Sequence, residues 1–246
     1  MQRRGLSQEG LKLIACFTML IDHIGATFVL KALSQATGAT KVELLELYNV
    51  LRAVGRLSFP IYCFLLVEGT SYTRDSRKYA IRLLVCALLA ELPYDLMRYG
   101  RITFEHQSVM LTLLLGFMML TVMKKCPNAL LKLLLVLPFA AVAQQLHTEY
   151  GWKGIAVIGV FAFSRDFPYK YVWQFFCLWC IFSPDHLMMF NWLDGFKYKI
   201  QELCVFALVP IALYDGHKST NSRIVQWMFY LFYPVHLLVI YLVSRL

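Results

Sequence analysis

An acid and a histidine stand side by side in the first apolar stretch of this chain. Asp22 and His23 follow eleven mostly apolar residues that begin at Leu11. An ionisable group in the middle of a membrane helix costs roughly 2.5–3.5 kcal/mol on insertion scales, so such residues are rare and mark functional sites. Because neighbouring residues on a helix point about 100° apart, we expect Asp22 and His23 to meet different partners.

Two further ionisable residues lie inside apolar runs, each close to a proline that loosens the helix. They are Arg56 in the second run and His236 in the last. An imidazole titrates near neutral pH and can act as a general base, and a guanidinium can bind a carboxylate, a phosphate or a developing oxyanion. The structural alternative is that Arg56 neutralises Asp22 or Asp95 and that the histidines are packed core residues.

Other polar side chains are scattered along the apolar runs, and we interpret them as the lining of a substrate pocket. Two of them, Glu91 and Asp95, lie one helical turn apart, so we expect one to be paired or protonated. The predicted pocket residues are Glu68, Glu91, Asp95, Gln107 and Tyr233.

Several reaction classes have no support in the sequence. It contains no Gly-x-Ser-x-Gly, no Gly-rich phosphate loop and no His-Glu-x-x-His. Serine hydrolases, NTPases and zinc proteases are therefore disfavoured. The seven cysteines are odd in number and lie mostly in apolar runs, so we predict neither a disulfide framework nor a metal site.

The elements that must position these residues are apolar segments of helical length. The chain has 246 residues, of which 59% are hydrophobic and 16% charged. We predict an all-α polytopic membrane protein, with a single bundle of about nine transmembrane helices forming one domain over residues 1–246 in the lipid bilayer. The runs cover residues 11–31, 48–70, 79–97, 108–124, 127–146, 151–165, 168–183, 199–214 and 225–244.

The net charge of +9 comes from cations in short loops between these runs. No nucleic-acid motif accompanies them, so we predict no nucleic-acid partner. The loops that would be cytoplasmic if the N-terminus is cytoplasmic carry more Lys and Arg, which favours that orientation. The densest cluster on that side comprises Arg74, Arg77, Lys78 and Arg82.

Five short segments, spread from the first run to the last, resemble one membrane-protein family in order and type. They are Ile21-Asp22-His23-Ile24-Gly25, Gly55-Arg56-Leu57-Ser58-Phe59-Pro60, Glu91-Leu92-Pro93-Tyr94-Asp95, Leu213-Tyr214-Asp215-Gly216 and Phe232-Tyr233-Pro234-Val235-His236. The family is TraX, the F-pilin N-terminal acetylases, which is similar to the wider group of integral-membrane acyltransferases. The resemblance covers essentially the whole chain.

This resemblance implies a bacterial inner-membrane enzyme that transfers an acetyl group from acetyl-CoA. The acceptor would be an amine, such as a pilin amino terminus in conjugation, or a hydroxyl on a protein or small molecule at the membrane. In the wider group a histidine of the first span is the usual catalytic residue, and His23 matches it. His236 would be a second base or would position the thioester, Arg56 would stabilise the oxyanion, and Asp22 would hold Arg56 or the acceptor ammonium.

The phosphates of CoA would need cations at the cytoplasmic mouth of the bundle. The four-residue cluster that begins at Arg74 is our candidate, and topology signalling is the alternative. A proton-coupled transporter or flippase could use the same buried residues. The sequence shows no repeated halves with matching broken helices, which would favour a transporter. An acyltransferase should bind CoA, whereas a transporter should show substrate flux without it.

Overall fold

A computed structural model describes residues 5–183, 200–220 and 222–246 of the chain. The described part is helical, with two isolated backbone bridges, Leu6 to Tyr214 and Gln107 to Thr148, and no β-strand. The prediction of an all-α membrane protein is confirmed. Predicted run 199–214 is described from residue 200 onward.

Most helices begin and end within a few residues of the predicted runs. The bounds are α1 Gln8–Ile24, α2 Leu30–Gln35, α3 Gly38–Gly55, α4 Ser58–Tyr72, α5 Ser76–Tyr99, α6 Val109–Met123, α7 Ala129–Gln145, α8 Gly151–Phe163, α9 Lys170–Phe182, α10 Leu208–Ala212 and α11 Arg223–Arg245. A π-helical turn, Gly25–Val29, joins α1 to α2, and a 3₁₀ turn, Leu203–Ala207, precedes α10.

Three helical segments of the described chain are long and apolar enough to cross a membrane. They are Gln8–Gln35, Gly38–Tyr72 and Ile224–Arg245. Four shorter apolar helices accompany them: Val109–Met123, Ala129–Gln145, Gly151–Phe163 and Ile200–Ala212. The number of nine spans stays a prediction.

The second segment begins ten residues before the predicted run. Helix α3 starts at Gly38, whereas the apolar run starts at residue 48. The extra turns carry exposed Glu43 and Glu46, which lower the hydropathy without preventing helix formation. Near Pro60 the helix is interrupted at Arg56 and Leu57, and Ser58 Oγ donates to the carbonyl of Gly55. Pro60 thus lies in the first turn of α4, where its missing N–H costs little.

Side-chain caps fix where several helices begin. Ser7 accepts from Gly10 N at 3.1 Å, Asp75 from Lys78 N at 3.0 Å and Asn128 from Leu130 N at 2.8 Å. Each cap satisfies a backbone N–H that the first turn leaves without an intrahelical partner. Helix α5 ends at Tyr99 and is followed by Gly100, whose φ of 68° is the left-handed conformation that glycine adopts readily.

The chain divides into two compact units. Unit 1 comprises Met1–Tyr62 and Phe182–Leu246, and unit 2 comprises Cys63–Ile181. The prediction of one domain over the whole chain stays a prediction.

In unit 1, α1 and α11 run in the same direction. Near the start of both helices, Lys12 lies over the ring of Phe229. Beyond the end of α1, Lys31 Nζ donates to Ser244 O at 3.1 Å near the end of α11, so the contacts advance along both segments in the same direction. Helix α3 packs against α1 in the opposite direction, with Leu51 against Gly25. The residues before α1 pair with the chain after α10, where Leu6 N donates to Leu213 O at 2.7 Å.

In unit 2, α5 and α6 run antiparallel. Tyr79 packs on Phe117 near one end of the pair, and Glu91 binds Ser108 near the other. Helix α8 packs against α6 and α7, with Ile158 so close to Gly116 that a Cβ there would overlap its side chain. The fully buried core includes Phe117, Met119, Ile155 and Phe161.

Candidate functional site

Asp22 and His23 stand at the C-terminal end of α1, one turn before the π-helical turn. Such turns insert an extra residue into a helix and are frequent at functional sites. Both side chains are buried, with 8% and 7% of their residue surface exposed. As the helix geometry predicts, they contact different partners: Asp22 faces α3 and His23 faces α11.

The two predicted histidines are directly hydrogen bonded. His23 Nδ1 lies 2.8 Å from His236 Nε2, and the ring centroids are 5.0 Å apart with planes 20° from parallel. These values describe an in-plane N–H···N bond. On its other side, His236 Nδ1 lies 2.7 Å from the carbonyl of Phe232, whose ring stacks on the His236 imidazole at 4.7 Å. Tyr233 meets both imidazoles edge-on.

This geometry assigns the tautomers when both imidazoles are neutral. A carbonyl oxygen only accepts, so His236 Nδ1 must carry its proton and His236 Nε2 must accept. His23 Nδ1 is then the donor of the bond between them. The basic lone pair of the two imidazoles is therefore on His23 Nε2.

Asp22 holds two arginines on the neighbouring helix. Its Oδ2 accepts from Arg52 Nη1 at 2.6 Å and its Oδ1 from Arg56 Nη2 at 2.7 Å. Arg56 Nη1 also donates to Gln201 Oε1 at 2.8 Å, and Arg56 Nε donates to the carbonyl of Arg52. Of the two acids considered as partners for Arg56, Asp22 is the one that binds it.

A glycine makes this contact possible. A Cβ at Gly55 would overlap the Cβ, Cγ and Oδ1 atoms of Asp22. Backbone and carboxylate therefore meet at a distance that only glycine allows. Gly55 also ends α3, one residue before Arg56, so the helix end and the ion pair depend on the same position.

The predicted phosphate-binding cations lie in unit 2, where α4 ends and α5 begins. Arg74, Arg77 and Lys78 are exposed, and Arg82 covers the ring of Tyr79. Lys78 pairs with Asp75 at 3.2 Å, and the backbone N–H of Lys78 lowers the pKa of the Asp75 carboxyl. At this same end of unit 2, Lys124 Nζ donates to the carbonyl of Thr70, and Arg165 pairs with Glu68 at 3.2 Å.

The predicted pocket residues are divided between the two units, and within unit 2 they lie at both ends. Tyr233 is beside the histidine pair in unit 1. Glu68 is buried at the cationic end of unit 2, whereas Glu91 and Asp95 lie several turns away along α5 with Gln107 nearby. The pocket lining was inferred from polarity alone, and polarity does not indicate which end of a helix a residue occupies.

Two residues of the ion-pair network were not among the predicted site residues. Arg52 is four residues before Arg56 and therefore on the same helix face. That spacing was a usable signal. Gln201 had none, because a single amide at the start of an apolar run has no characteristic pattern.

Comparisons with known proteins agree with the resemblance in the sequence. The family model for TraX protein matches residues 7–244. A protein described as a probable fimbrial assembly protein FimC, serogroup H1, from Dichelobacter nodosus is 25% identical over 238 residues, which are 92% of this chain and 91% of that protein. No solved structure matches the chain. Because the family model covers nearly the whole length, including both histidines and the ion-pair network, this chain belongs to the TraX family.

Proposed function

We propose that this protein is an acetyltransferase that moves an acetyl group from acetyl-CoA to an amine, with His23 as the general base. The observation that carries the proposal is the buried His23–His236 pair, whose hydrogen bonds leave the basic lone pair on His23 Nε2. Membership of the TraX family and the fimbrial-assembly description of a relative support a pilin-like acceptor. A hydroxyl acceptor would use the same base.

The proposed reaction begins when the acceptor amine attacks the thioester carbonyl of acetyl-CoA. A C–N bond forms, the carbonyl oxygen becomes negative, and the proton released by nitrogen passes to His23 Nε2. Collapse of the intermediate breaks the C–S bond, and the thiolate of CoA leaves with the proton from His23 Nε2, which restores the base. A positioned base contributes typically 10²–10⁴-fold to such a rate.

His236 has the role that a carboxylate has in a catalytic triad. It holds the Nδ1–H of His23 and so fixes the ring in the orientation that presents Nε2. Its own proton is held by the carbonyl of Phe232, four residues earlier on α11. The backbone carbonyl of Phe232 thus orients the pair through His236.

The Asp22–Arg52–Arg56 network holds the α1 and α3 segments that border His23. We propose Asp22 as a positioning residue on this ground. Stabilisation of the thioester oxyanion by Arg56 remains part of the proposal, since a guanidinium keeps its positive charge while it binds Asp22 and Gln201. The cations Arg74, Arg77, Lys78 and Arg82 remain the proposed contacts for the phosphates of CoA.

The test is turnover of acetyl-CoA by the full chain purified in detergent, with a peptide carrying a free amino terminus as acceptor. Wild type should release CoA and acetylate the peptide, and His23→Ala should lose at least about 10²-fold. His106→Ala, which removes an exposed histidine of unit 2, is the matched control and should retain activity. A folded wild type that neither binds acetyl-CoA nor releases CoA would contradict the proposal and favour transport.

A further inference from the structure

Tyr72 is the last residue of α4 and lies at the cationic end of unit 2. Its side chain is largely accessible, since 67% of the residue surface is exposed. The guanidinium of Arg165 lies over its ring, with 5.5 Å between Arg165 Cζ and the ring centroid. An aromatic ring has two faces, so a cation on one face of Tyr72 leaves the other face accessible.

A buried carboxylate holds Arg165 in this position. Glu68 Oε1 lies 3.2 Å from Arg165 Nε, and only 8% of the Glu68 surface is exposed. Glu68 is four residues before Tyr72 on α4, so the two residues lie on the same helix face. Arg165 therefore contacts both of them and fixes the ring of Tyr72. A ring that is already fixed loses less conformational entropy when a ligand stacks on it.

Three exposed cations follow Tyr72 within six residues, in the turn after α4 and the first turn of α5. They are Arg74, Arg77 and Lys78. The two helices are in contact here, because a Cβ at Gly69 of α4 would meet Tyr79 Oη of α5 at 2.9 Å. The accessible ring and the cations thus belong to one short segment at one end of unit 2.

We propose that the accessible face of Tyr72 binds the adenine ring of CoA by stacking, an inference that rests on the proposed function. In CoA, the ribose that carries adenine has a phosphate on its 3′ side and a diphosphate on its 5′ side. Cations that bind these phosphates therefore bring the base close to them. Nucleobases stack on aromatic side chains beside cationic groups, because every base has a π-face. Tyr72 then favours an acyl donor that contains a nucleotide.

A tyrosine at the end of a membrane helix can also serve only as an interfacial anchor. Tyr241 near the end of α11 offers the comparison, because Arg245 Cζ lies 5.3 Å from its ring centroid. Both tyrosines thus have an arginine over the ring, but the proposed phosphate contacts adjoin Tyr72. An anchor role predicts that loss of either ring leaves the affinity for CoA unchanged.

The experiment measures the dissociation constant of CoA for the full chain in detergent by isothermal titration calorimetry. Tyr72→Leu keeps an apolar side chain without the aromatic face, so the constant should rise about tenfold, as expected for one lost stacking contact. Tyr72→Phe keeps the face and should bind within about twofold of wild type. Tyr241→Leu is the matched control and should bind as wild type does. Equal unfolding temperatures show that the variants are folded.

Adenosine 3′,5′-bisphosphate shows which part of CoA the ring contacts. This probe has the base and phosphates on both sides of the ribose, but it has no thiol arm and no acetyl group. It should displace CoA from wild type, and Tyr72→Leu should weaken its binding by about the same factor as that of CoA.

Stacking on Tyr72 is excluded if Tyr72→Leu binds CoA as tightly as wild type, or if Tyr72→Phe or Tyr241→Leu loses as much affinity as Tyr72→Leu. It is also excluded if adenosine 3′,5′-bisphosphate does not displace CoA from wild type. In each of these cases wild type still binds CoA, so the acetyltransferase proposal stands. A folded wild type that binds no CoA is a different result, and it contradicts both proposals.

Discussion

His23 and His236 form a pair in which one neutral imidazole orients the other. The decisive contact is the 2.8 Å bond between His23 Nδ1 and His236 Nε2. A side chain at position 236 that can still accept a hydrogen bond from His23 Nδ1–H should preserve the tautomer in which His23 Nε2 is basic. A side chain that cannot accept it should not preserve this tautomer.

We therefore expect His236→Gln and His236→Ala to differ. The Gln oxygen can accept from His23 Nδ1–H, so this variant should keep acetyl transfer within about tenfold of wild type. The Ala variant should lose about 10²-fold or more, because the imidazole of His23 is no longer fixed. The measurement is kcat for CoA release as a function of pH; equal losses in the two variants would show that His236 acts only by filling space.

The ion-pair network allows a second comparison at the residue scale, between loss of the shared acid Asp22 and loss of one of its two arginine partners. Removal of the acid leaves two arginines with no carboxylate between them, whereas removal of one arginine leaves the other pair intact. Arg52 is also the more exposed partner, with 24% of its side chain accessible against 11% for Arg56.

We expect Asp22→Asn to destabilise the protein by about 3 kcal/mol, as when one partner of a buried pair is removed. Arg52→Gln should cost only about 1 kcal/mol, in the range of a partly exposed pair. The measurement is reversible denaturant unfolding in detergent, with both variants in the same micelle. A larger loss for Arg52→Gln than for Asp22→Asn would contradict the network as described.

At the scale of the element, the end of α3 is shaped by its contact with α1. Gly55 lets the backbone of α3 approach the carboxylate of Asp22 so closely that no side chain fits between them. The atoms in the way belong to the Cβ and carboxyl of a short side chain, so they cannot move aside easily.

Gly55→Ala should therefore separate the two helices, destabilise unit 1 by about 2 kcal/mol and reduce activity with it. Gly159→Ala is the matched control, because a Cβ there would meet only Val136 at an ordinary contact distance of 3.5 Å. That variant should be neutral or slightly stabilising, since alanine favours the helix. Comparison of the two unfolding temperatures checks the prediction, and an unaffected Gly55→Ala would contradict the close approach.

Helix positions were accessible from the sequence because apolar runs of this length have few alternatives in a membrane. A loosened helix near Pro60 was also predicted, and the structure interrupts the helix there. The site was only partly accessible. Helix geometry alone predicts that Asp22 and His23 contact different partners. Which acid pairs with Arg56, Asp22 or Asp95, depends on packing between segments that are distant in the sequence. The role of Gly55 was invisible for the same reason.

At the scale of the whole molecule, the two ends of unit 2 differ in charge. One end gathers the cations Arg74, Arg77, Lys78, Lys124, Lys125 and Arg165. The other holds Glu91, Asp95, Glu105 and Glu149 with two arginines. Cytoplasmic loops of membrane proteins are enriched in Lys and Arg, so the cationic end should face the cytoplasm.

Thiol labelling can test this orientation, because Cys126 is a partly exposed residue next to Lys124 and Lys125 at the cationic end. In a variant that retains only this cysteine, an impermeant maleimide should label inverted membrane vesicles and leave intact spheroplasts unlabelled. In a cysteine-free background, Glu105→Cys at the other end should give the opposite pattern. Reversal of both patterns would place the cationic end outside the cell. The proposed CoA contacts would then have no access to cytoplasmic acetyl-CoA, so the result decides between the proposed orientation and its inverse.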